Sequence, residues 1–401
     1  MAKKYNCEIN GKKYFRKRKT VGYDINGKPK IKYFYGDGEK DADRKIDEYF
    51  TRINSGLEVG NENLSLEVFM HKWLWDVLYT SKNTKSASFD KHETNYRLYI
   101  KNSPIGQLRL YNISSHPIQL YYNDLFVKKE LSSKKIFDIN KTLRKFFNYC
   151  ISEHIILDNP CSLTKIQIPG NADGFEDEFE NEDNITVFND EELEIIKNNI
   201  QYKKDQDNTL NVAIQLDLVT GLRKGELLGL KRKYINLDKC TIKVVNTLKL
   251  VKVFDENKTH KRVLKLTTPK TKSSIREIPF PETLKPILKQ YFIEQIEKYK
   301  KLGLKFNSES LIFTTSACTP FETSNFSKKW AKFLDSINLV FKKFHSIRDT
   351  FATTLIRRGA KIIEVKELLG HSSIKTTERY YIFCFPEDKS KTINLLCDFI
   401  V

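Results

Sequence analysis

The sequence predicts a multidomain, mainly α protein with small β sheets. Three observations carry this. Two Asn-Gly pairs punctuate a short aromatic and β-branched N-terminal region, the signature of tight hairpins. Long stretches of apolar residues at helical spacing follow. An acid-only stretch separates them from a last half in which strand-like runs interrupt helices. At 401 residues the chain is too long for one ordinary domain.

Residues 1–60 are expected to form a three-stranded meander followed by a helix. Asn10-Gly11 and Asn26-Gly27 accept the positive φ values of type I′ turns, and a helix is predicted over about 40–54, ending at Gly56. Residues 64–168 read as helical: Leu66, Phe69, Trp73, Leu74 and Val77 keep helical spacing, as do Ile139, Leu143, Phe146, Phe147 and Cys150. Asn159-Pro160 marks the end of that run. Residues 170–186 carry seven acids without a lysine or arginine and read as a solvated linker. From 187 to 401 an α+β domain is expected, opened by a capping box at Asn189 and Glu192. Strand-like runs lie at 240–246, 248–253, 262–268 and 274–279, and helical patterns at about 282–300, 324–337, 346–358, 361–369 and 373–382.

Composition narrows the partner. The 69 Lys+Arg exceed the 51 Asp+Glu, giving a formal charge of +18, which suits a polyanion, nucleic acid first. A merely basic, Lys-rich proteome is the plainer alternative. Residues 1–35 hold eleven lysines and arginines against Glu8 and Asp24, interleaved with aromatic residues. Lys12, Lys13, Arg16, Arg18, Lys28, Lys30 and Lys32 are the expected DNA contacts of the N-terminal sheet, against a solvated Lys-rich edge as the alternative. No apolar run approaches the ~18 residues of a membrane span, and Met1-Ala2-Lys3-Lys4-Tyr5 opens no apolar signal segment, so a soluble, cytoplasmic protein is expected. Seven scattered cysteines, none in Cys-x-x-Cys spacing, argue against a disulfide framework or a zinc site. Neither a His-Glu-x-x-His run nor a Gly-x-x-x-x-Gly-Lys loop occurs, so no metal or nucleotide cofactor is expected.

The candidate chemistry lies in the last half. Arg223, in Thr-Gly-Leu-Arg-Lys-Gly-Glu, follows a helix-breaking Gly221; its fork can hold two phosphate oxygens, and Glu226 is placed to orient it. His345 and Arg348 sit three apart, sharing a face if helical. His371 follows Gly370, and Tyr380 comes nine residues later on the next predicted helix. A phenol with a pKa near 10 is a poor nucleophile unless clustered positive charge stabilises its anion. Thr268-Pro269-Lys270-Thr271-Lys272-Ser273 joins two predicted strands and puts a lysine at a hairpin tip, positioned to protonate a departing oxygen.

Each signal alone is weak; their order is not. Arg, a turn lysine, His-x-x-Arg, Gly-His and a tyrosine nine residues on resemble the catalytic domain of tyrosine recombinases (the phage integrase family), specifically integrases of conjugative transposons and temperate phages. The resemblance implies a site-specific DNA recombinase that integrates and excises a mobile element through a 3′-phosphotyrosyl link and a Holliday junction, without metal or ATP. It implies that Arg223, Arg348 and His345 or His371 bind the scissile phosphate, that Tyr380 attacks it, and that Glu226 supports the site. The general acid would be Lys270, with Lys272 the alternative. Asp349 stands where the family often has a second histidine after the arginine, and Ile347 where leucine is usual. The layout further implies an arm-type DNA-binding domain over 1–60, a core-binding domain over 64–168 and a catalytic domain over 187–401. The implied partners are double-stranded attachment sites, three further protomers in a tetramer on DNA, and an excisionase or host DNA-bending protein. The apolar tail (Ile393, Leu395, Leu396, Phe399, Ile400) docks on a neighbour or packs in cis. A topoisomerase-like enzyme with the same chemistry and an inert DNA-binding regulator are the competing readings.

Overall fold

The structure is a computed structural model that describes residues 5–9, 11–23, 29–54, 64–81, 86–170, 185–203, 206–269 and 272–384. The second Asn-Gly turn, nearly all of the acidic stretch, Lys28, Lys270 and the apolar tail lie outside the described residues. The chain divides into two compact units, Met1–Glu182 and Asp183–Val401. Among the described residues no helix is long and apolar enough to cross a membrane.

The first unit opens with an antiparallel sheet in sequence order, β1 (Cys7–Ile9), β2 (Lys12–Tyr23) and β3 (Pro29–Gly36), followed by α1 (Glu39–Asn54). Gly11, at φ +77°, makes the first turn, a conformation open to glycine at little cost. Residues directly opposite in register share a face. Lys17 pairs with Phe34; that face meets α1, where Phe34 is buried and Lys17 salt-bridges Glu39 and Asp43. Arg16 pairs with Tyr35 and Arg18 with Tyr33 on the opposite face.

Among the described residues four further α-helices follow in this unit: α2 (Leu66–Lys72), α3 (Ser86–Asn95), α4 (Ser115–Val127) and α5 (Ser133–Ser152). The apolar stripe of α5 is buried, and Phe146 sits edge-on to Phe69 at 5.9 Å and to Trp73 at 5.4 Å. The stripe predicted through Val77 shifts by one residue. Beyond Lys72 the helix widens into a π-helical segment, with Tyr79 N–H donating to Leu74 O at 2.9 Å, so Leu78 takes the buried position instead.

The second unit begins with α6 (Asp190–Asn199), whose Asn189–Glu192 capping box forms as predicted. Helices α7 (Thr209–Thr220) and α8 (Lys224–Leu228) precede five strands: β4 (Ile235–Asn236), β5 (Thr241–Val244), β6 (Thr247–Phe254), β7 (His260–Thr267) and β8 (Arg276–Pro279). Five α-helices follow among the described residues: α9 (Lys285–Lys301), α10 (Thr323–Ser336), α11 (Ser346–Arg357), α12 (Ile362–Leu369) and α13 (Lys375–Cys384). The strands form two sheets, β4-β5-β8 and the ribbon β6-β7. This corrects the expected hairpin around residue 270. Ile242 opposes Ile278, both fully buried, which binds β8 to β5 and leaves β7 with β6. The segment between β7 and β8 therefore crosses from one sheet to the other, and the hairpin lies at 255–259 instead.

Candidate active site

Two helix ends build the site. Helix α7 stops at Gly221, which adopts the left-handed conformation (φ 57°). A Cβ there would lie 2.4 Å from a ring carbon of Phe351, so the turn needs glycine for both backbone and space. The chain then extends through Arg223 into α8, and Glu226 takes two bonds from that residue. Its carboxylate accepts the Arg223 backbone N–H at 3.1 Å and Nη1 at 2.9 Å. The second helix end is that of α12, closed by left-handed Gly370.

Three arginines converge on the last carbonyls of α12. Arg348 Nη2 donates to Leu369 O at 2.7 Å, Arg223 Nη1 reaches the same oxygen at 3.5 Å, and Arg276 Nε donates to Leu368 O at 2.6 Å. Orphan carbonyls at a helix C-terminus carry partial negative charge, which is why cations gather there. Arg348 is 1% exposed and also donates from Nη1 to Gly221 O at 2.6 Å, tying α11 to the end of α7. Burial, then the nearby Arg223 charge, lowers its pKa to about 9, which still leaves the guanidinium charged at neutral pH. Arg223 is the more accessible of the pair, its side chain 38% exposed.

Sequence reasoning missed Arg276. Its Nη2 lies 3.0 Å from Glu226 in a nearly dry ion pair. Burial favours the neutral Glu226 acid, but the charges of Arg276, Arg223 and Arg348 outweigh it and hold the carboxyl below its ordinary range. One arginine on a β-strand, in a chain with 69 Lys+Arg, carries no local mark of such a role.

His371 bridges the arginines to the tyrosine. Its Nε2 faces Arg348 Nη2 at 2.9 Å and its Nδ1 faces Thr377 Oγ1 at 2.9 Å. A guanidinium can only donate, so Nε2 accepts and Nδ1 carries the proton, donated to Thr377. Burial, with Arg348 next, lowers the His371 pKa to about 3. The ring of Tyr380 stacks on that of His371 at 6.3 Å and 10°. Tyr380 is buried, and its hydroxyl donates to Asp349 Oδ1 at 2.8 Å.

His345 stands at the N-cap position of α11 rather than inside it, its side chain 52% exposed and Nε2 3.8 Å from Asp349 Oδ1. A cavity of about 340 Å³ opens beside these groups, lined by Arg223, Lys249, Ser274, His371 and Thr376 among others. Lys249, on β6, is a second residue that sequence reasoning did not select. A larger cavity of about 600 Å³, lined by apolar residues such as Leu193, Leu218 and Leu355, contains none of the site residues.

Arg223, Glu226, Arg348, His371 and Tyr380 are thus one connected cluster, with His345 at its open edge. Lys270 lies outside the described residues. On the N-terminal sheet, Lys12, Arg16 and Arg18 alternate with Tyr14 on the face away from α1, where the Arg16 guanidinium lies 5.2 Å from the Tyr33 ring centroid. Lys13 and Lys32 fall in register on the α1 face, the Lys32 ammonium 4.2 Å over the Tyr49 ring. Lys30 pairs with Gly22 through its backbone.

Arginines held at two helix C-termini beside a buried tyrosine suit an enzyme that transfers a phosphoryl group. Residues 186–383 match the phage integrase family. The chain is 39% identical over its whole length to the tyrosine recombinase XerC-like protein of Caldanaerobacter subterraneus subsp. tengcongensis, all of which it covers. Among solved structures it resembles the Tn1549 transposon integrase in complex with a circular intermediate DNA (TM-score 0.64, 20% identity, 83% of this chain and 99% of that one). It also resembles a lambda integrase tetramer bound to a Holliday junction (TM-score 0.53, 16% identity, 94% of each chain). The chain belongs to the phage integrase family of tyrosine recombinases, and its activity is site-specific DNA recombination.

Proposed function

We propose that Tyr380 attacks the scissile phosphate while Arg223, Arg348 and His345 neutralise its oxygens, leaving a 3′-phosphotyrosyl link and a free 5′-hydroxyl. The covalent link conserves the phosphodiester energy, so rejoining to a new strand requires no second energy source. Lys270 protonates the departing 5′ oxygen. Glu226 and Arg276 hold Arg223 in place, and His371 holds Arg348. The observation that carries the reading is the convergence of Arg223 and Arg348 on the single carbonyl of Leu369, with Tyr380 stacked on the histidine that contacts Arg348. Two guanidiniums held that close repel one another, and an anion between them relieves the repulsion.

Four protomers exchange strands on two duplex attachment sites, a reading supported by the tetrameric, junction-bound state of the lambda relative. Residues 1–60 bind arm-type sites through Lys12, Arg16 and Arg18, residues 64–168 grip the core site, and 187–401 cut it. An excisionase or a host DNA-bending protein sets direction. The decisive experiment is a nicked suicide duplex carrying the joined ends of the element. Covalent adducts should vanish in Tyr380→Phe and persist in Tyr381→Phe; adducts that survive the first change overturn the assignment of the nucleophile.

A further inference from the structure

The geometry points to Asp349 as the general base of the cleavage step, taking the phenolic proton of Tyr380 as the oxygen–phosphorus bond forms. This rests on the recombinase reading above and adds a catalytic residue to it. The Tyr380 hydroxyl must lose a proton to become a nucleophile, and it already donates to Asp349 Oδ1 at 2.8 Å, within the reach a base requires. His371, stacked on the Tyr380 ring, is not open to take it: it accepts from Arg348 at Nε2 and donates to Thr377 from Nδ1. Asp349 is itself buried, one residue beyond Arg348 on α11, so base and phosphate-binding cation share a rigid turn.

The surroundings suit a base. From its own helix the carboxylate meets His345, 3.8 Å from Oδ1, and Arg348; from α13 it meets Tyr380, and from the segment before α6 the backbone N–H of Thr186. Tyr380 in turn meets Arg348 and Arg379 as well as Asp349. Burial raises the Asp349 pKa above its ordinary value, which makes it a stronger proton acceptor than a surface carboxylate. Burial and the facing carboxylate raise that of Tyr380, so the phenol does not ionise unaided.

The balance is simple. Tyr380 Oη bonds to phosphorus, the bond from phosphorus to the 5′ oxygen breaks, Asp349 Oδ1 gains the phenolic proton, and the leaving oxygen takes one from the general acid. On rejoining, Asp349 returns the proton to Tyr380. His345, at the exposed edge of the same carboxylate, can relay it to solvent.

The test is single-turnover adduct formation by the full chain on the nicked suicide duplex, across pH. Asp349→Asn, which keeps the shape, should cleave roughly 10²–10⁴-fold more slowly at unchanged duplex affinity and lose the acid limb of the pH profile. Asp349→His restores a base, so part of the rate should return with the limb moved toward the pKa of histidine. A 5′-bridging phosphorothiolate, whose thiolate leaves without a proton, should rescue a general-acid variant but not Asp349→Asn. If Asp349→Asn cleaves at the wild-type rate or faster, the carboxylate is a spectator or a latch and the proposal fails. Should Asp349→Asn not fold, an unmoved limb in Asp349→His overturns the idea equally. A wild-type chain that gives no Tyr380-dependent adduct overturns the recombinase reading itself.

Discussion

The imidazole of His371 accepts a hydrogen bond from the buried guanidinium of Arg348 at 2.9 Å, so the histidine is a neutral support within a cationic cluster. Its pKa falls to about 3 against an ordinary value of 6.5. The unfolded chain therefore takes up the proton first as pH falls. Stability from this group is complete above about pH 6.5 and declines by about 1.4 kcal/mol per pH unit below it, down to about pH 3. In His371→Gln, which keeps an acceptor for Arg348, melting temperature should fall less steeply over that window than in the wild type. Parallel curves would contradict the neutral assignment.

Thr377 completes that arrangement as the acceptor of the His371 Nδ1 proton at 2.9 Å, itself fully buried. Thr377→Val leaves a buried donor unpaired, at a cost of about 1–3 kcal/mol. Adduct formation should fall by more than the loss of folded protein explains, because the ring is then free to turn from Arg348. Thr377→Ser, retaining the hydroxyl, should behave as wild type in the suicide-duplex assay.

The Glu226–Arg276 pair separates stability from catalysis. Both side chains are nearly inaccessible and 3.0 Å apart. Removing one partner of such a pair strands a charge and costs about 3–5 kcal/mol, whereas replacing both by apolar residues is often neutral. Glu226→Leu should lower the melting temperature sharply, and Glu226→Leu with Arg276→Leu should recover most of it. Neither should cleave DNA, since Arg223 loses its carboxylate anchor in both. Cleavage by the double variant would show that Glu226 does not position Arg223.

What could be read in the chain before folding was what lies close in sequence. The left-handed turns at Gly221 and Gly370, the Asn189 cap, and the Arg223–Glu226 contact are each decided within a few residues. The contacts that give the cluster its chemistry span far more: Arg276 meets Leu368 across 92 positions, and Tyr380 meets Asp349 across 31. No local pattern encodes those, so Asp349 reads in the sequence as a departure from a motif, not as a partner of Tyr380. The helix predicted from 346 does begin at Ser346, which leaves His345 as its cap, and the His345 side chain turns toward Asp349. The π-helical widening after Lys72 was equally hidden, because an extra residue in a turn leaves the apolar count unchanged.

On the N-terminal sheet, register divides the lysines and arginines by face. Arg16 and Arg18 lie on the face away from α1, whereas Lys17 lies on the opposite face, held against α1 by Glu39 and Asp43. Arg16→Ala and Arg18→Ala should weaken binding to arm-type DNA, each lost phosphate contact flattening the slope of log affinity against log salt by about 0.9. Lys17→Ala should leave that slope unchanged. Core-site cleavage should be unaffected in all three, measured on a duplex without arm sequences.

Gly221 links the backbone of α7 to Arg348, and its replacement tests how rigid that link is. The residue sits at φ 57°, where an L side chain costs about 1–2 kcal/mol. An added Cβ would meet Phe351 Cδ1 at 2.4 Å, and Phe351 is buried against Ala352 and Ile356, with little room to retreat. The carbonyl of Gly221 also accepts Arg348 Nη1 at 2.6 Å, so any shift that relieves the clash moves the guanidinium. Gly221→Ala should therefore lower the melting temperature and reduce adduct formation at least about tenfold, the equivalent of 1.4 kcal/mol in the barrier. Adding Phe351→Leu removes the clash but not the backbone strain. The pair should regain part of the cleavage rate while staying less stable than wild type. A Gly221→Ala enzyme with wild-type melting and cleavage would mean that Arg348 is held by Leu369 and His371 alone.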